Sequence, residues 1–238
     1  MSSVPDEGKQ FIKLLKKKSL IGGKAVYQGA IGDKSIAYMI SGMGKTNAAH
    51  AATILIERFS PDLLILFGVG GAYPSSGLGI GDIAFADEEI YGDEGVSDKN
   101  GFHGTEFIGI PLLQKGRRKY FNEFAFDKKL IGKALDSYAL CPMPHAQIKS
   151  GAFVTVSTCT GTRKRAFELR KKYHAICENM EGASVAHICA IYGTPMVEVR
   201  GISNIVEDRN REKWNIKLAS ENCQKVVLEL LKRYRKAR

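Results

Sequence analysis

Short apolar runs that alternate with helical segments constrain the fold more than any other feature of this sequence. Residues 63–67 are continuously apolar, which is typical of a strand buried on both faces of a sheet. Further strands are predicted at residues 82–86, 152–156 and 196–199, and helices at about 48–59, 128–139, 162–173, 181–192 and 214–235. Such an alternation predicts an α/β fold, a three-layer α/β/α sandwich with a central mixed sheet.

A hairpin is predicted ahead of this alternating region. Two β-favouring segments, residues 24–29 and 35–40, are separated by the turn-forming pair Gly32-Asp33. The chain has 238 residues, 44% of them hydrophobic, and no low-complexity segment divides it. We therefore expect a single domain over residues 1–238.

The formal charge of +10 raises the question of a nucleic-acid partner. Much of the positive charge lies in two clusters, where helices are expected to end and cations suit the helix dipole. These residues are Lys13, Lys16, Lys17 and Lys18 near the start and Lys232, Arg233, Arg235, Lys236 and Arg238 at the end. We expect solvated helix ends and no nucleic-acid partner, with a polyanion site as the weaker alternative.

The cysteines and histidines give no sign of disulfides or metal. The five cysteines are odd in number, none stands in a C-x-x-C pair, and no signal peptide or apolar run of transmembrane length is present. The five histidines are scattered without metal-ligand spacing. We expect a cytoplasmic protein with no membrane partner, no catalytic metal and no cofactor.

Two glycine-containing segments resemble nucleotide-binding motifs but do not match them. A P-loop ending at Gly44-Lys45-Thr46 requires glycine where the chain has Met39. A dinucleotide fingerprint over residues 68–73 requires glycine in place of Tyr73, and Pro74 prevents a clean helix start. The glycines at 68–71 instead indicate a backbone that closely approaches a ligand, with a plain tight turn as the alternative.

Residues 179–183, Asn-Met-Glu-Gly-Ala, open a predicted helix, so capping is the simplest interpretation of Glu181. However, this motif and the segments 41–45, 68–71, 81–83, 87–91 and 198–204 together resemble the purine nucleosidase and nucleoside phosphorylase superfamily. The resemblance spans about residues 24–230 and includes several motifs in the same order. It implies that Glu181 holds the ribose hydroxyls and that Met180 lies against the sugar.

The same resemblance bears on the attacking group. Phosphorylases of the superfamily have an arginine just ahead of the glycine segment, where this chain has the apolar residues 65–67. Nucleosidases instead use an N-terminal glutamate to activate water, and Glu7 matches it, with Asp6 as the less favoured choice. The chain departs from the pattern because only residues 1–3 stand where family members have a full strand.

Residues 91–96 and 203–209, with Trp214, resemble the futalosine hydrolase branch, whose substrate carries hypoxanthine and belongs to a route to menaquinone. Asn204 replaces the aspartate of methylthioadenosine/adenosylhomocysteine nucleosidases, and an amide can both donate to and accept from the N7/O6 edge of a 6-oxopurine. The resemblance thus implies that Asn204 stabilises the departing base. Gly70 and Gly71 are also expected to bind the base, and so are Thr155 and Thr158, whose hydroxyls at a strand end either line the base pocket or bond the backbone.

Other readings stay open. The enzyme could be a methylthioadenosine/adenosylhomocysteine or aminofutalosine nucleosidase, or the chain could be a nucleoside-binding protein without catalysis. The family's dimers imply a homodimer or higher homo-oligomer, in which Phe102, Phe107 and Pro111 either cover a neighbouring subunit's ligand or belong to the core. Arg209 and Lys213 either meet an anionic group of the substrate or are solvated at the surface.

Overall fold

The computed structural model describes residues 1–138 and 146–233. Its strands are β1 (Lys17–Ile21), β2 (Lys24–Ile31), β3 (Lys34–Met39), β4 (Leu64–Ala72), β5 (Ile83–Tyr91), β6 (Gly95–Asp98), β7 (Gly101–Gly104), β8 (Leu113–Lys115), β9 (Arg118–Tyr120), β10 (Glu123–Ala125), β11 (Ile148–Thr155), β12 (Cys177–Asn179) and β13 (Met196–Ile205). Its helices are α1 (Lys9–Leu14), α2 (Lys45–Phe59), α3 (Lys128–Tyr138), α4 (Arg163–Tyr173), α5 (Gly182–Tyr192) and α6 (Ile216–Arg233). Short 3-10 helices cover Pro5–Gly8, Thr105–Ile108 and Arg211–Lys213.

The central sheet is mixed, as predicted. In the described chain its six strands lie in the order β10-β5-β11-β12-β4-β13. Strand β4 runs parallel to β13, and β11 runs parallel to both β5 and β12, whereas β12 is antiparallel to β4. Strand β13 also pairs with β5 in the antiparallel sense, so the sheet closes on itself. The sequence did not predict this closure, because strand patterns carry no information about which edges meet.

Helices cover the sheet on two sides. Helices α2 and α5 pack together over one face, and Leu66 of β4 lies in their core. Helices α3 and α6 pack together over the other face, where Phe67 of β4 is buried. Neighbouring side chains of β4 thus enter opposite layers, as strand geometry requires. The predicted three-layer sandwich is confirmed.

The predicted hairpin is also confirmed, and a third strand joins it. Strands β2 and β3 pair across a turn in which Gly32 has a φ of +62°. Strand β1 adds to β2 and contains Lys17 and Lys18, which were expected at a helix end. The amide of Ser2 donates to Met39 and that of Phe67 to Met1, so the N-terminal residues join the hairpin sheet to β4.

The glycine segment differs from its prediction. Residues 68–71 were expected to follow a strand, but they belong to β4, and β13 likewise continues past residue 200 to Ile205. Glycine is needed here because a Cβ at Gly68 would lie 2.6 Å from Glu7 Oε1, and one at Gly71 would lie 2.7 Å from Val206 Cγ2. A close approach to these glycines is therefore observed, and within the chain the side chains of Glu7 and Val206 make it.

The basic clusters and cysteines are only partly described. Lys13 and Lys16 are exposed, and Lys232 and Arg233 lie in the last turn of α6. Among the described cysteines, Cys159, Cys177, Cys189 and Cys223 are free. No helix within the described ranges has the length and apolar character needed to cross a bilayer. The other predicted positions, Arg235, Lys236, Arg238 and Cys141, lie outside the described residues.

Candidate active site

A cavity of about 470 Å³ lies where β4, β12 and β13 meet the 3-10 helix Pro5–Gly8 and the start of α5. Most of the sequence-predicted site residues line it. They are Glu7, Gly70, Gly71, Met180, Glu181 and Asn204. The fold therefore brings residues that are up to 197 positions apart in the sequence, Glu7 and Asn204, to a single pocket.

Glu7 is buried at the inner end of this cavity and is held by backbone amides. Its Oε2 accepts from the N–H groups of Ser3 (2.9 Å) and Val4 (3.2 Å), and its Oε1 accepts from that of Val69 (2.9 Å). Burial raises the pKa of the Glu7 carboxyl above its ordinary value, while Arg200 and the amide hydrogen bonds oppose the rise. Asp6 also lines the cavity but is exposed and pairs with Lys9. Glu7 is thus a buried carboxyl group that three backbone amides hold in place.

Glu181 stands at the N-terminus of α5, yet its side chain does not cap the helix. Its Oε1 accepts from the amide of Gly44 at 2.9 Å, and its Oε2 accepts from Arg200 at 3.3 Å. The carboxylate therefore faces the cavity, and capping does not explain it. Met180, its neighbour, lies at the cavity wall with its sulfur 3.1 Å from the sulfur of Cys159.

Arg200 is the central buried charge of the site, and sequence analysis gave it no role. Its side chain donates to Glu198 at 2.8 Å, to the carbonyl of Val69 at 3.1 Å and to Glu181 at 3.3 Å. Burial alone would lower the pKa of Arg200, but the carboxylates of Glu198, Glu181 and Glu7 raise it above the ordinary value. The guanidinium therefore stays charged and holds the carboxylates in place.

Asn204 lies in the cavity lining beside Gly71, just after the irregularity in the β4–β13 pairing. Its Oδ1 accepts from Ser203 Oγ at 2.7 Å, and its Nδ2 donates to the carbonyl of Ile205 at 3.2 Å. These bonds orient the amide. The bound oxygen retains a lone pair and the NH₂ group retains a second hydrogen, so both remain able to bind a ligand.

Glu178 and Thr160 also line the cavity and were missed in the sequence. Glu178 accepts from the amide of Thr160 (2.9 Å), from its hydroxyl (2.6 Å) and from the hydroxyl of Tyr73 (2.9 Å). Burial raises the pKa of the Glu178 carboxyl. This carboxylate fixes the loop that follows β11 against the strand β12.

The structure corrects two expected base-binding residues. Thr155 is fully buried beneath α5, where its hydroxyl bonds Glu89, Asn179 and the amide of Ala183, so it supports the helix. Of the two alternatives for this strand-end hydroxyl, the structure therefore shows bonding within the chain. Thr158 is exposed and lies outside the cavity lining, and Thr160, two residues on, lies in it.

Other predicted positions lie away from the reacting region. His187 is half-buried, stacks on Phe124 and contacts Tyr91. Arg209 lines the cavity mouth with its guanidinium over the ring of Trp214, whereas Lys213 pairs with Glu207. In residues 1–138 and 146–233, no group of three histidine, cysteine or acidic side chains is arranged to hold a metal ion.

The sequence that forms this site matches a known protein family. The model of the Phosphorylase superfamily matches residues 3–232, which is nearly the whole chain. The chain belongs to the phosphorylase superfamily. The predicted superfamily is therefore confirmed.

Relatives within this superfamily are nucleosidases and hydrolases. The futalosine hydrolase of Thermus thermophilus is 32% identical over 194 residues, covering 82% of this chain and 80% of that protein. The 5′-methylthioadenosine/S-adenosylhomocysteine nucleosidase of Bacillus pumilus is 29% identical over 215 residues, covering 89% and 87%. The prediction of a nucleosidase-type enzyme is confirmed.

Solved structures show the same fold. The 5′-methylthioadenosine/S-adenosylhomocysteine nucleosidase of Neisseria meningitidis, in complex with methylthio-immucillin-A, has a TM-score of 0.82 at 25% identity and covers 97% of this chain and 96% of its own. The futalosine hydrolase mutant of Helicobacter pylori has a TM-score of 0.79 at 21% identity, covering 96% and 95%. Both classes of phosphorylase-superfamily hydrolase thus share this architecture.

A signal for Arg200 was present in the sequence. Strand β13 begins Met-Val-Glu-Val-Arg-Gly-Ile, which puts opposite charges at positions 198 and 200 of an otherwise apolar buried strand. Residues two apart project from the same face of a strand, so the pair has to be buried together. Charged residues are almost never fully buried unless they are paired, and such a pair in a central strand points to a functional network.

Proposed function

We propose that the protein hydrolyses the N-glycosidic bond of futalosine and releases hypoxanthine and dehypoxanthine futalosine, a step of the futalosine route of menaquinone biosynthesis. The observation that carries this proposal is the pair of buried carboxylates, Glu7 and Glu181, that face one cavity that Asn204 also lines. The similarity to the futalosine hydrolase of Thermus thermophilus supports the choice of substrate.

In this proposal Glu7 activates the water. Three backbone amides fix its carboxylate, and burial raises its pKa, so it accepts a proton from water more readily than an exposed glutamate does. Water attacks the anomeric carbon as the bond to the purine breaks. The bonding electrons leave with the base, which takes up a proton from solvent to give neutral hypoxanthine, and the proton taken by Glu7 returns to solvent.

Glu181 and Met180 hold the sugar. The Glu181 carboxylate accepts hydrogen bonds from the two ribose hydroxyls and stabilises the positive charge that grows on the ring in an oxocarbenium-like transition state. Arg200 and the amide of Gly44 keep this carboxylate oriented before substrate arrives. Such preorganisation lowers the barrier because no reorganisation is needed during the reaction.

The polar contacts of Arg200 support water over phosphate as the attacking group. Arg200 is a buried cation of the cavity lining, but its charge is already matched by the carboxylates of Glu198 and Glu181. Residues 65–67, ahead of the glycine segment, are apolar. A phosphate dianion next to Glu7 and Glu181 would therefore meet mostly like charge.

Asn204 supports a 6-oxopurine as the leaving base. Its amide can donate to the O6 or N7 acceptors, and this lowers the negative charge on the departing hypoxanthine. The second candidate is a methylthioadenosine/adenosylhomocysteine or aminofutalosine nucleosidase, which the similarity to the Bacillus pumilus and Neisseria meningitidis enzymes favours. A base carrying a 6-amino group would offer Asn204 a donor in place of O6.

A nucleoside panel tests the proposal. The protein is incubated with futalosine, inosine, aminofutalosine and methylthioadenosine, with and without phosphate, and the released base and sugar are identified. We expect hypoxanthine and a free sugar from futalosine, at a rate that phosphate leaves unchanged. Faster release of adenine from the 6-amino substrates would favour the second candidate. Binding without turnover of any of the four would show a nucleoside-binding protein.

We also propose that residues 1–238 act as one domain of a homodimer or higher homo-oligomer in the cytoplasm. The apolar side chains of Phe107, Ile108 and Ile110 are 62%, 50% and 70% exposed, which is unusual for a monomer surface. Phe102 is half-buried and contacts Lys172. Light scattering of the wild-type protein and of Phe107→Ser measures the assembly, and a monomeric wild-type protein would contradict this proposal.

A further inference from the structure

A second pair of carboxyl groups lies directly beneath the cavity, outside the residues that face the substrate. Glu89 of β5 and Glu198 of β13 both have no exposed surface. A Cβ at Gly182 would lie 1.9 Å from Glu89 Oε1 and 2.5 Å from Glu198 Oε2, so both oxygens border the space that this glycine leaves open. The two carboxyl groups are therefore neighbours.

The hydrogen bonds around the pair are unequal. Glu89 accepts from Thr155 Oγ1 at 2.7 Å and from Asn179 Nδ2 at 2.5 Å, and both donors are neutral. Glu198 Oε1 accepts from the Arg200 guanidinium, whereas its Oε2 has no other donor among the described residues. A proton carried by Glu89 supplies the donor that Glu198 Oε2 lacks, and leaves the negative charge next to Arg200.

Each member of the pair supports a different part of the site. Glu89 orients Asn179 and Thr155, whose oxygens accept from the amides of Glu181, Gly182 and Ala183 at 2.9, 2.7 and 2.8 Å. These contacts fix the first turn of α5. Glu198 binds the Nε of Arg200, and the same guanidinium binds the Glu181 carboxylate. Through these contacts the pair Glu89 and Glu198 holds both the backbone and the carboxylate of Glu181 in position.

We infer that Glu89 and Glu198 share a single proton, carried by Glu89, and act as positioning residues that hold Arg200 and Glu181 in their reactive arrangement. Two adjacent buried carboxylates cannot both ionise without a large electrostatic cost, whereas one proton between them satisfies both. The kinetic effects expected from this inference rest on the proposed function. The existence of the shared proton does not depend on that function.

The charged and titratable groups around Glu89 and Glu198 fit a pair that carries one negative charge and one proton. Arg200 is the cation, and Glu181 and Glu7 lie on its other sides as carboxylates. The thiol of Cys177 on β12 and the hydroxyl of Tyr91 on β5 also face the pair, and burial raises the pKa of both. Burial and the neighbouring carboxylate Glu198 raise the pKa of Glu89 well above its ordinary value.

Infrared spectroscopy tests the shared proton without any substrate. We compare the wild-type protein, Glu89→Gln and the control Glu88→Gln at neutral pH. Glu88 is the adjacent residue of β5, is half-buried and lies away from the cavity lining. We expect Glu89→Gln to lose the absorption of one protonated carboxyl group and Glu88→Gln to retain it. Retention of the full band by Glu89→Gln would overturn the shared proton.

The pH dependence of unfolding provides a second test. A carboxyl whose pKa is raised on folding stabilises the protein fully below its unfolded pKa, and that contribution is lost as pH rises towards the folded pKa. Between the unfolded and the folded pKa of Glu89, the unfolding constant of the wild-type protein should therefore rise with pH more steeply than that of Glu89→Gln. The difference in slope should be about tenfold per pH unit. Equal slopes in the two proteins would contradict the inference.

Kinetics test the positioning role. In Glu89→Gln the amide nitrogen can donate to Glu198 but can no longer accept from Asn179 Nδ2, so we expect kcat to fall, by less than in Glu198→Gln. In Glu198→Gln the charge next to Arg200 is lost, and we expect kcat to fall by about 10–100-fold at saturating substrate, in protein that circular dichroism shows to be folded. Equal losses in both variants, or a normal kcat in Glu198→Gln, would overturn the positioning role.

The two proposals fail in different ways. If the protein cleaves none of the nucleosides, the infrared and unfolding experiments still decide whether the proton is shared. If futalosine is cleaved but Glu89→Gln retains the band, the proposed function stands and the inference fails. Should Glu198→Gln not fold, Glu198→Asp retains the charge at a shorter reach, and we expect an intermediate kcat with the protonated-carboxyl band present. A wild-type kcat in that variant would contradict positioning by Glu198.

Discussion

The two ends of the active-site cavity are built in different ways. At the end that we propose binds the sugar, Glu7, Glu181 and Arg200 are buried, come from regular elements or their first residues, and bond one another or backbone amides. At the proposed base end and the mouth, Cys159 and Arg209 are exposed, and Thr160, Asn204 and Trp214 are half-buried. Loops carry most of this second group.

We infer from this contrast that the buried end carries out the reaction and the partly exposed end sets the preference among substrates. A buried charge network has few alternative arrangements, because moving one member leaves another charge unpaired at a cost of several kcal/mol. Side chains on a partly exposed surface are screened by water and can change without such a cost. We therefore expect substitutions at the sugar end to affect every substrate and those at the base end to change preference among substrates.

The largest expected effect is that of Glu7→Gln. Loss of the general base should lower kcat by about 10²–10⁴-fold, while KM changes little because glutamine keeps the volume of the side chain and its oxygen can still accept from the amides of Ser3 and Val4. Steady-state kinetics with futalosine measures both values. Unchanged turnover would place the base elsewhere, with Asp6 as the next candidate.

The pH profile sharpens this prediction. Glu7 must be ionised to accept a proton, and burial raises its pKa, so the acid limb of kcat should lie above the ordinary glutamate range. Activity then falls as pH drops through that raised pKa. An acid limb that persists unchanged in the residual activity of Glu7→Gln would assign it to another group.

Glu181→Gln should have the next largest effect. The neutral amide still reaches the ribose hydroxyls but loses the charge that stabilises the cationic transition state, so kcat/KM should fall by about 10²–10³-fold. Both kcat and KM are expected to worsen, for 6-oxo and 6-amino substrates alike. A variant with reduced melting temperature and normal kinetics would instead indicate a purely structural role.

Asn204→Asp tests the base end and should produce a smaller, selective effect. The carboxylate offers acceptors only to the O6 atom of hypoxanthine, so kcat/KM for inosine should fall at least about tenfold relative to adenosine. The ratio of the two kcat/KM values in both proteins is the measurement. If that ratio stays constant, Asn204 does not select the base.

Thr158→Ala should have the smallest effect. Its side chain is exposed and lies outside the cavity lining, so kinetics and stability should stay within about twofold of wild type. Thr160→Ala is the matched comparison, because its hydroxyl bonds Glu178 in the cavity wall. A loss of base selectivity in Thr158→Ala alone would show that the loop takes a different arrangement with ligand bound.

Regular elements were predictable from the sequence because their signals are local. The helix predicted at residues 162–173 is observed at Arg163–Tyr173, and the apolar run at 63–67 lies largely within β4. Strand ends were less predictable, since β4 and β13 continue through glycines and polar residues that pair only because their partners are present. The three-residue strand β12 has no pattern long enough to detect.

Site residues were predictable where a motif resembled the superfamily, as for Glu181 and Asn204. Glu89 was missed because its role depends on β5 and β13 meeting when the sheet closes, and no local spacing records that contact. Glu198 and Arg200 have a local signal in their spacing within β13, but that spacing does not show that Arg200 also meets Glu181. The direction of the Thr155 hydroxyl could not be predicted for a related reason. The side to which a strand-end hydroxyl points depends on which helix packs against it.

Cleavage of futalosine in water enriched in heavy oxygen tests most directly the central claim, hydrolysis by water activated at Glu7. Mass spectrometry of the sugar product identifies the atom added at the anomeric carbon, with saturating phosphate present throughout. We expect one heavy oxygen in the free sugar from the wild-type protein and the same product, formed far more slowly, from Glu7→Gln. A sugar 1-phosphate without solvent oxygen, or equal rates from the two proteins, would contradict the claim.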